Sequence, residues 1–72
     1  MRYWYRDKDW VYVGFEYRPN LVEKMKRDFH ASYNPAFKEW YFQPSFEKSL
    51  QLKYFLEANG FENKKPERKQ IS

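Results

Sequence analysis

Between Trp10 and Tyr17 the chain alternates. Val11, Val13, Phe15 and Tyr17 occupy one set of positions, and Trp10, Tyr12, Gly14 and Glu16 the other. A repeat of two is that of a strand with unlike faces, and the first set is the natural core face. Tyr3-Trp4-Tyr5 forms a shorter aromatic run upstream, separated from Trp10 by the polar Arg6-Asp7-Lys8-Asp9. Two such runs around a polar turn predict a hairpin. The period then changes. Arg18-Pro19-Asn20 opens a helix, because proline's fixed φ suits a first turn. Leu21, Val22, Met25 and Phe29 fall on one side of it, and Glu23, Lys24, Lys26 and Arg27 on the other, with an end expected near Phe29-His30.

From Ala31 to Gln43 the pattern predicts two short strands around a turn from Asn34 to Lys38, since Asn-Pro initiates turns. Trp40 and Phe42 point one way, and Glu39, Tyr41 and Gln43 the other. Pro44-Ser45 leads into a second helix, with Ser45 as N-cap and Glu47 well placed in the first turn. Its inner stripe is expected to be Phe46, Ser49, Leu50, Leu52 and Leu56. Lys53 falls near the middle of that stripe and fits only if its stem lies along apolar surface. Gly60 suits a left-handed position after the helix, letting Phe61 fold back onto Leu56. Glu62 to Ser72 is rich in Lys, Glu and Pro and is expected to be a disordered tail or linker.

The expectation is a small single α+β domain in the order β-β-α-β-β-α, an antiparallel sheet with two helices on one face. The domain would span 1–61, with its core over 10–61 and a basic tail over 62–72. At 72 residues its core is thin, and with no cysteine no disulfide or thiolate metal site reinforces it. Ring area substitutes: 24% of the residues are aromatic, enough to fill a small core and leave rings at the surface.

The net charge of +4 suits an acidic partner, and it is uneven. Ten Lys/Arg face eight Asp/Glu up to Phe61, and four face two beyond it. No apolar run approaches the roughly 20 residues of a membrane span, and no signal pattern opens the chain, so an intracellular location, cytoplasmic or with the nucleoid or nucleus, is expected.

Catalytic chemistry finds little support. His30 is the only histidine, Gly14 and Gly60 the only glycines, and the acids are scattered among bases. These leave no nucleophile–base pair, no phosphate loop, no metal ligand set and no implied cofactor or small-molecule substrate. Binding fares better. With helices over the face bearing Val11, Val13, Phe15, Trp40 and Phe42, the opposite face would present Trp10, Tyr12 and Tyr41, joined by rings from Tyr3-Trp4-Tyr5. Exposed rings on a one-sided sheet stack bases in several single-strand binders. Cross-strand pairing or a dimer interface would use the same rings. Lys24, Lys26 and Arg27, continued by Lys38, form a basic cluster able to hold phosphates, although Glu23 and Asp28 interrupt it.

The runs Val13-Gly14-Phe15-Glu16-Tyr17, Leu21-Val22 with Met25, Ser32-Tyr33-Asn34-Pro35 and Lys38-Glu39-Trp40-Tyr41-Phe42 resemble the HARP (HepA-related protein) domain. The likeness covers roughly residues 10–55, with Asn34 where the family usually has Asp. It implies a DNA-binding accessory domain of the kind that accompanies annealing ATPases and engages branched or forked DNA, with Trp40 and Phe42 as core residues. Taken together with the exposed rings, this makes single-stranded or forked DNA the expected ligand. A fused ATPase or recombinase would be the matching partner. The competing expectation is a protein-interaction module, either a small phage or mobile-element protein docking on a host factor or a homodimerising domain.

Overall fold

The computed structural model describes residues 2–66. Five strands and two helices follow one another: β1 (Tyr3–Asp7), β2 (Trp10–Gly14), α1 (Pro19–Arg27), β3 (Ser32–Asn34), β4 (Glu39–Phe42), α2 (Phe46–Ala58) and β5 (Glu62–Asn63). They form an α+β domain whose sheet has the order β3-β4-β2-β1-β5. The first four strands are antiparallel to their neighbours, but β5 runs parallel to β1, so the sheet is mixed rather than purely antiparallel. No helix among the described residues is long and apolar enough to cross a membrane.

Register fixes the faces. Trp4 and Trp40 flank Val13, and Arg6 and Phe42 flank Val11, so these residues share one side. Both helices lie on that side. Leu21 and Met25 of α1, the following Phe29, and Leu52, Phe55 and Leu56 of α2 pack with Val11, Val13, Trp40 and Phe42 into one core. Phe29 lies between Phe42 and Phe55, with ring centres 5.2 and 5.8 Å away. Tyr33, opposite Trp40 on edge strand β3, packs its ring at 5.0 Å.

Local chemistry sets the boundaries. Lys8 takes a φ of 57° in the two-residue loop between β1 and β2, where hairpin turns require positive φ. Asn34 Oδ1 accepts from the Ala36 N–H at 3.0 Å, starting the β3–β4 turn. The Lys48 N–H donates to Ser45 Oγ at the start of α2. Both helices end in a left-handed residue, His30 (φ 51°) and Gly60 (φ 72°). The next N–H then returns to the last turn, Ala31 to the Met25 carbonyl at 2.9 Å and Phe61 to the Leu56 carbonyl at 3.0 Å. Phe61 thereby packs on Phe55 and Phe15.

Arg2 ties three segments together. Its Nε and Nη2 donate to the Glu16 carboxylate at 3.1 and 2.9 Å, and Nη1 donates to the Asn59 carbonyl at 2.8 Å. These bonds from Arg2, aided by Arg18, hold the Glu16 carboxyl down at about 2.

Several sequence expectations need correction. Beyond Gly14 the strand stops, so Tyr17 leaves the core face and is 79% exposed, while Phe15 stays partly buried against the core. Trp4 belongs to the helix side, not with the outward rings. In α2 the buried stripe is Leu52, Phe55 and Leu56. Phe46 and Leu50 point to solvent, and Lys53 is exposed. Glu62 is not the start of a tail: its N–H donates to the Arg2 carbonyl, and that of Lys64 to the Trp4 carbonyl. The expected tail beyond Pro66 lies outside the described residues.

Candidate nucleic-acid interface

The side of the sheet away from the helices is paved with rings. Tyr3 and Tyr5 of β1, Trp10 and Tyr12 of β2 and Tyr41 of β4 share it, as the pairs Tyr5–Tyr12 and Tyr12–Tyr41 require. Neighbouring rings touch in sequence. Tyr3 to Tyr5 is 6.3 Å between centres with planes 6° apart, and Tyr5 to Tyr12 is 4.9 Å with planes 14° apart. Tyr12 to Tyr41 is 6.3 Å and Tyr41 to Trp10 is 5.6 Å, with planes increasingly tilted. The result is one aromatic path across three strands. Trp10, at its end, is 38% exposed, whereas Tyr5 in its middle is buried.

Glu39 explains the order of this path. It sits on the same face at the start of β4 and is only 1% exposed. Tyr5 Oη donates to its Oε1 at 2.9 Å, and Tyr3 Oη donates to its Oε2. A buried carboxylate is costly unless its lone pairs are met, and here two phenols reach across β2 to meet them. Gly14 makes that reach possible, because the Tyr3 ring lies over its Cα where any Cβ would overlap ring carbons. The clamp fixes Tyr3 and Tyr5 in place, so the path is set before anything binds.

The expected basic cluster is elsewhere. Lys24, Lys26 and Arg27 belong to α1, in the layer on the far side of the sheet from the rings. Lys24 Nζ pairs with Asp28 at 2.9 Å and lies 5.8 Å from the Phe55 ring centre, and Arg27 pairs with Glu23. The hydrogen bond from Lys24 holds the Asp28 carboxyl below its ordinary value. Lys38 takes a φ of 57° just before Glu39, at the end of the β3–β4 turn, and is exposed. Trp10, Tyr12 and Tyr41 therefore come together as expected, but the α1 cations are not beside them.

The cation that does reach the rings is Lys65, with Nζ 5.7 Å from the Tyr5 ring centre. Sequence reasoning put Lys65 in a tail, because two polar strand residues, Glu62 and Asn63, carry no pattern that would announce β5. From there Lys65 was expected to add non-specific affinity at most, whereas Glu39 was missed as a site residue altogether. Its signal was a carboxylate on the one strand face shared with tyrosines.

Among the described residues no group of three or more His, Cys, Asp or Glu side chains is placed to hold a metal ion. Comparison with protein-family models, with curated proteins and with solved structures finds no match. The likeness to the HARP domain thus rests on the residues quoted for it alone.

Proposed function

We propose that this domain is a non-catalytic module that binds single-stranded or forked DNA on its helix-free sheet face. The observation that carries the reading is the pre-set path Tyr3–Tyr5–Tyr12–Tyr41–Trp10, with Lys65 over Tyr5. Bases stack on aromatic platforms without regard to sequence, each contributing about 1–3 kcal/mol. The two phenol bonds to Glu39 reduce the entropy that would otherwise be lost on ordering such a platform. The HARP resemblance over roughly 10–55 points to the same partner.

Trp10 is the reporter and the test. Labelled single-stranded and forked oligonucleotides at low salt should bind and quench tryptophan emission, with part of the quench lost in Trp10→Ala. Trp10→Ala should weaken binding by roughly 5- to 150-fold, the equivalent of one stacked base, with the fold kept. Absence of binding by both oligonucleotides at low salt refutes the reading.

One observation favours a second reading, a protein-interaction module. Phe46, Leu50 and Tyr54 recur every fourth residue along α2 and are 82, 48 and 68% exposed, a second apolar stripe opposite the buried one. A partner docked there would bind with little salt dependence, whereas phosphate binding weakens steeply with salt.

A further inference from the structure

The cations of this domain differ in what they have left to offer. On α1, Lys24 and Arg27 are each engaged by a carboxylate one turn away. Arg6, Lys64 and Lys65 along the β1–β5 edge, and Lys53 on the facing α2, have no carboxylate partner among the described residues. All four line a single trough of about 750 Å³ between that edge and α2, where Glu57 is the only acid among the described residues. Its floor is apolar, made by Trp4 of β1, Leu52 and Leu56 of α2, and Phe61. Lys53, out of place in the apolar stripe read from the sequence, stands on this rim.

We propose that the trough is a nucleotide subsite. It takes one unstacked base against Trp4 and Phe61, with the adjoining phosphate among Arg6, Lys53, Lys64 and Lys65. This deepens the single-strand reading above and rests on it. The combination of wall and rim selects the ligand class: an apolar body alone has no use for four cations without a carboxylate partner among the described residues, and a bare anion has no use for a Trp–Phe floor. The volume lies within the roughly 300–1,000 Å³ typical of ligand clefts.

Continuity with the ring path argues for a nucleic-acid strand over an acidic peptide. Lys65 belongs to both places, lining the trough while its Nζ lies over Tyr5. Because β5 pairs only with Tyr3 and Trp4, the sheet edge at Arg6 is not covered by it. A strand stacked along the rings passes the edge at Arg6, where Lys65 leads its backbone from the ring face to the trough. The α1 cluster, on which sequence reasoning placed the phosphates, takes no part.

The test compares two double variants against an oligothymidylate of about 12 nucleotides, within the roughly 4–16 that such modules cover. Lys53→Gln with Lys64→Gln should lower the slope of log affinity against log salt by about 1.4, from two single-strand contacts at ~0.7 each. Lys26→Gln with Arg27→Gln should leave the slope unchanged. All four side chains are exposed, so melting curves should match the parent and separate binding from folding. Thymidine 5′-monophosphate should shift the Leu52 and Leu56 methyl and Trp4 indole resonances more than thymidine does. If the oligonucleotide binds the parent but the Lys53/Lys64 variant keeps the full slope, the subsite is wrong while the DNA reading stands. If the parent binds no oligonucleotide, the DNA reading itself fails and the subsite with it. Equal competition by an acidic peptide of the same charge overturns the nucleotide assignment.

Discussion

Replacing Gly14 with alanine should unfasten the ring face from within. Gly14 needs no unusual backbone, so a methyl group is excluded only by the Tyr3 ring lying over it. To admit the methyl, Tyr3 must swing away and give up its bond to the buried Glu39 carboxylate. A hydrogen bond to a charged group contributes about 1.5–3 kcal/mol. In a domain this small each kcal/mol shifts the melting temperature by roughly 4–8 °C, so Gly14→Ala should melt roughly 6–24 °C below the parent. The decisive measurement is a double-mutant cycle by urea denaturation. With Tyr3→Ala already present the overlap is gone, and alanine at 14 should cost nothing or gain up to ~1 kcal/mol over glycine. The coupling between the two sites should therefore reach at least ~1.5 kcal/mol. Additive effects within ~0.5 kcal/mol, the range seen for independent sites, would refute the placement of Tyr3 over Gly14.

The two stripes of α2 should separate sharply: Phe55→Ala removes a core ring at about 3–5 kcal/mol, while Phe46→Ser at an 82% exposed site stays within about 0.5 kcal/mol in the same denaturant series. Glu16, held down at about 2 by Arg2, contributes stability that is fully present above its unfolded value of about 4.5 and is lost as pH falls towards 2. The gap between parent and Glu16→Gln melting temperatures should thus be constant above pH ~5 and close across that window; a gap that persists at pH 2 would show that the carboxylate is not its source. His30→Gly should be neutral or raise the melting temperature, since the left-handed φ of 51° costs a histidine more than a glycine.

Much of the architecture was legible because two kinds of signal were unambiguous. Alternation placed Val11, Val13, Trp40 and Phe42 inside and Trp10, Tyr12 and Tyr41 outside, since a strand offers only two sides. Local chemistry placed Ser45 and Gly60 at the ends of α2, where a hydroxyl meets a free N–H and a missing Cβ permits positive φ. Periodicity failed on α2 itself. Its apolar residues form two stripes, Leu52–Phe55–Leu56 and Phe46–Leu50–Tyr54, and only the sheet decides which is buried. It failed again at β5, whose two polar residues are held by hydrogen bonds to the β1 backbone rather than by apolar packing. The phosphate expectation followed the density of Lys and Arg on α1, whereas partners within the helix engage Lys24 and Arg27. Arg6, Lys53, Lys64 and Lys65, which have no carboxylate partner among the described residues, come together from segments far apart in the sequence.

The parallel pairing of β5 with β1 also has a consequence for engineering. The Glu62 N–H donates to the Arg2 carbonyl, and Pro66 follows four residues later, at most ~14 Å of extended chain. The first and last described segments are therefore neighbours, the condition under which circular permutation and domain insertion succeed. A short linker from Pro66 to Arg2, with new ends cut in the exposed Pro35–Phe37 tip, should give a permuted domain with the same sheet. The same closeness would let the domain be spliced into a surface loop of a host protein, carried on two adjacent stalks.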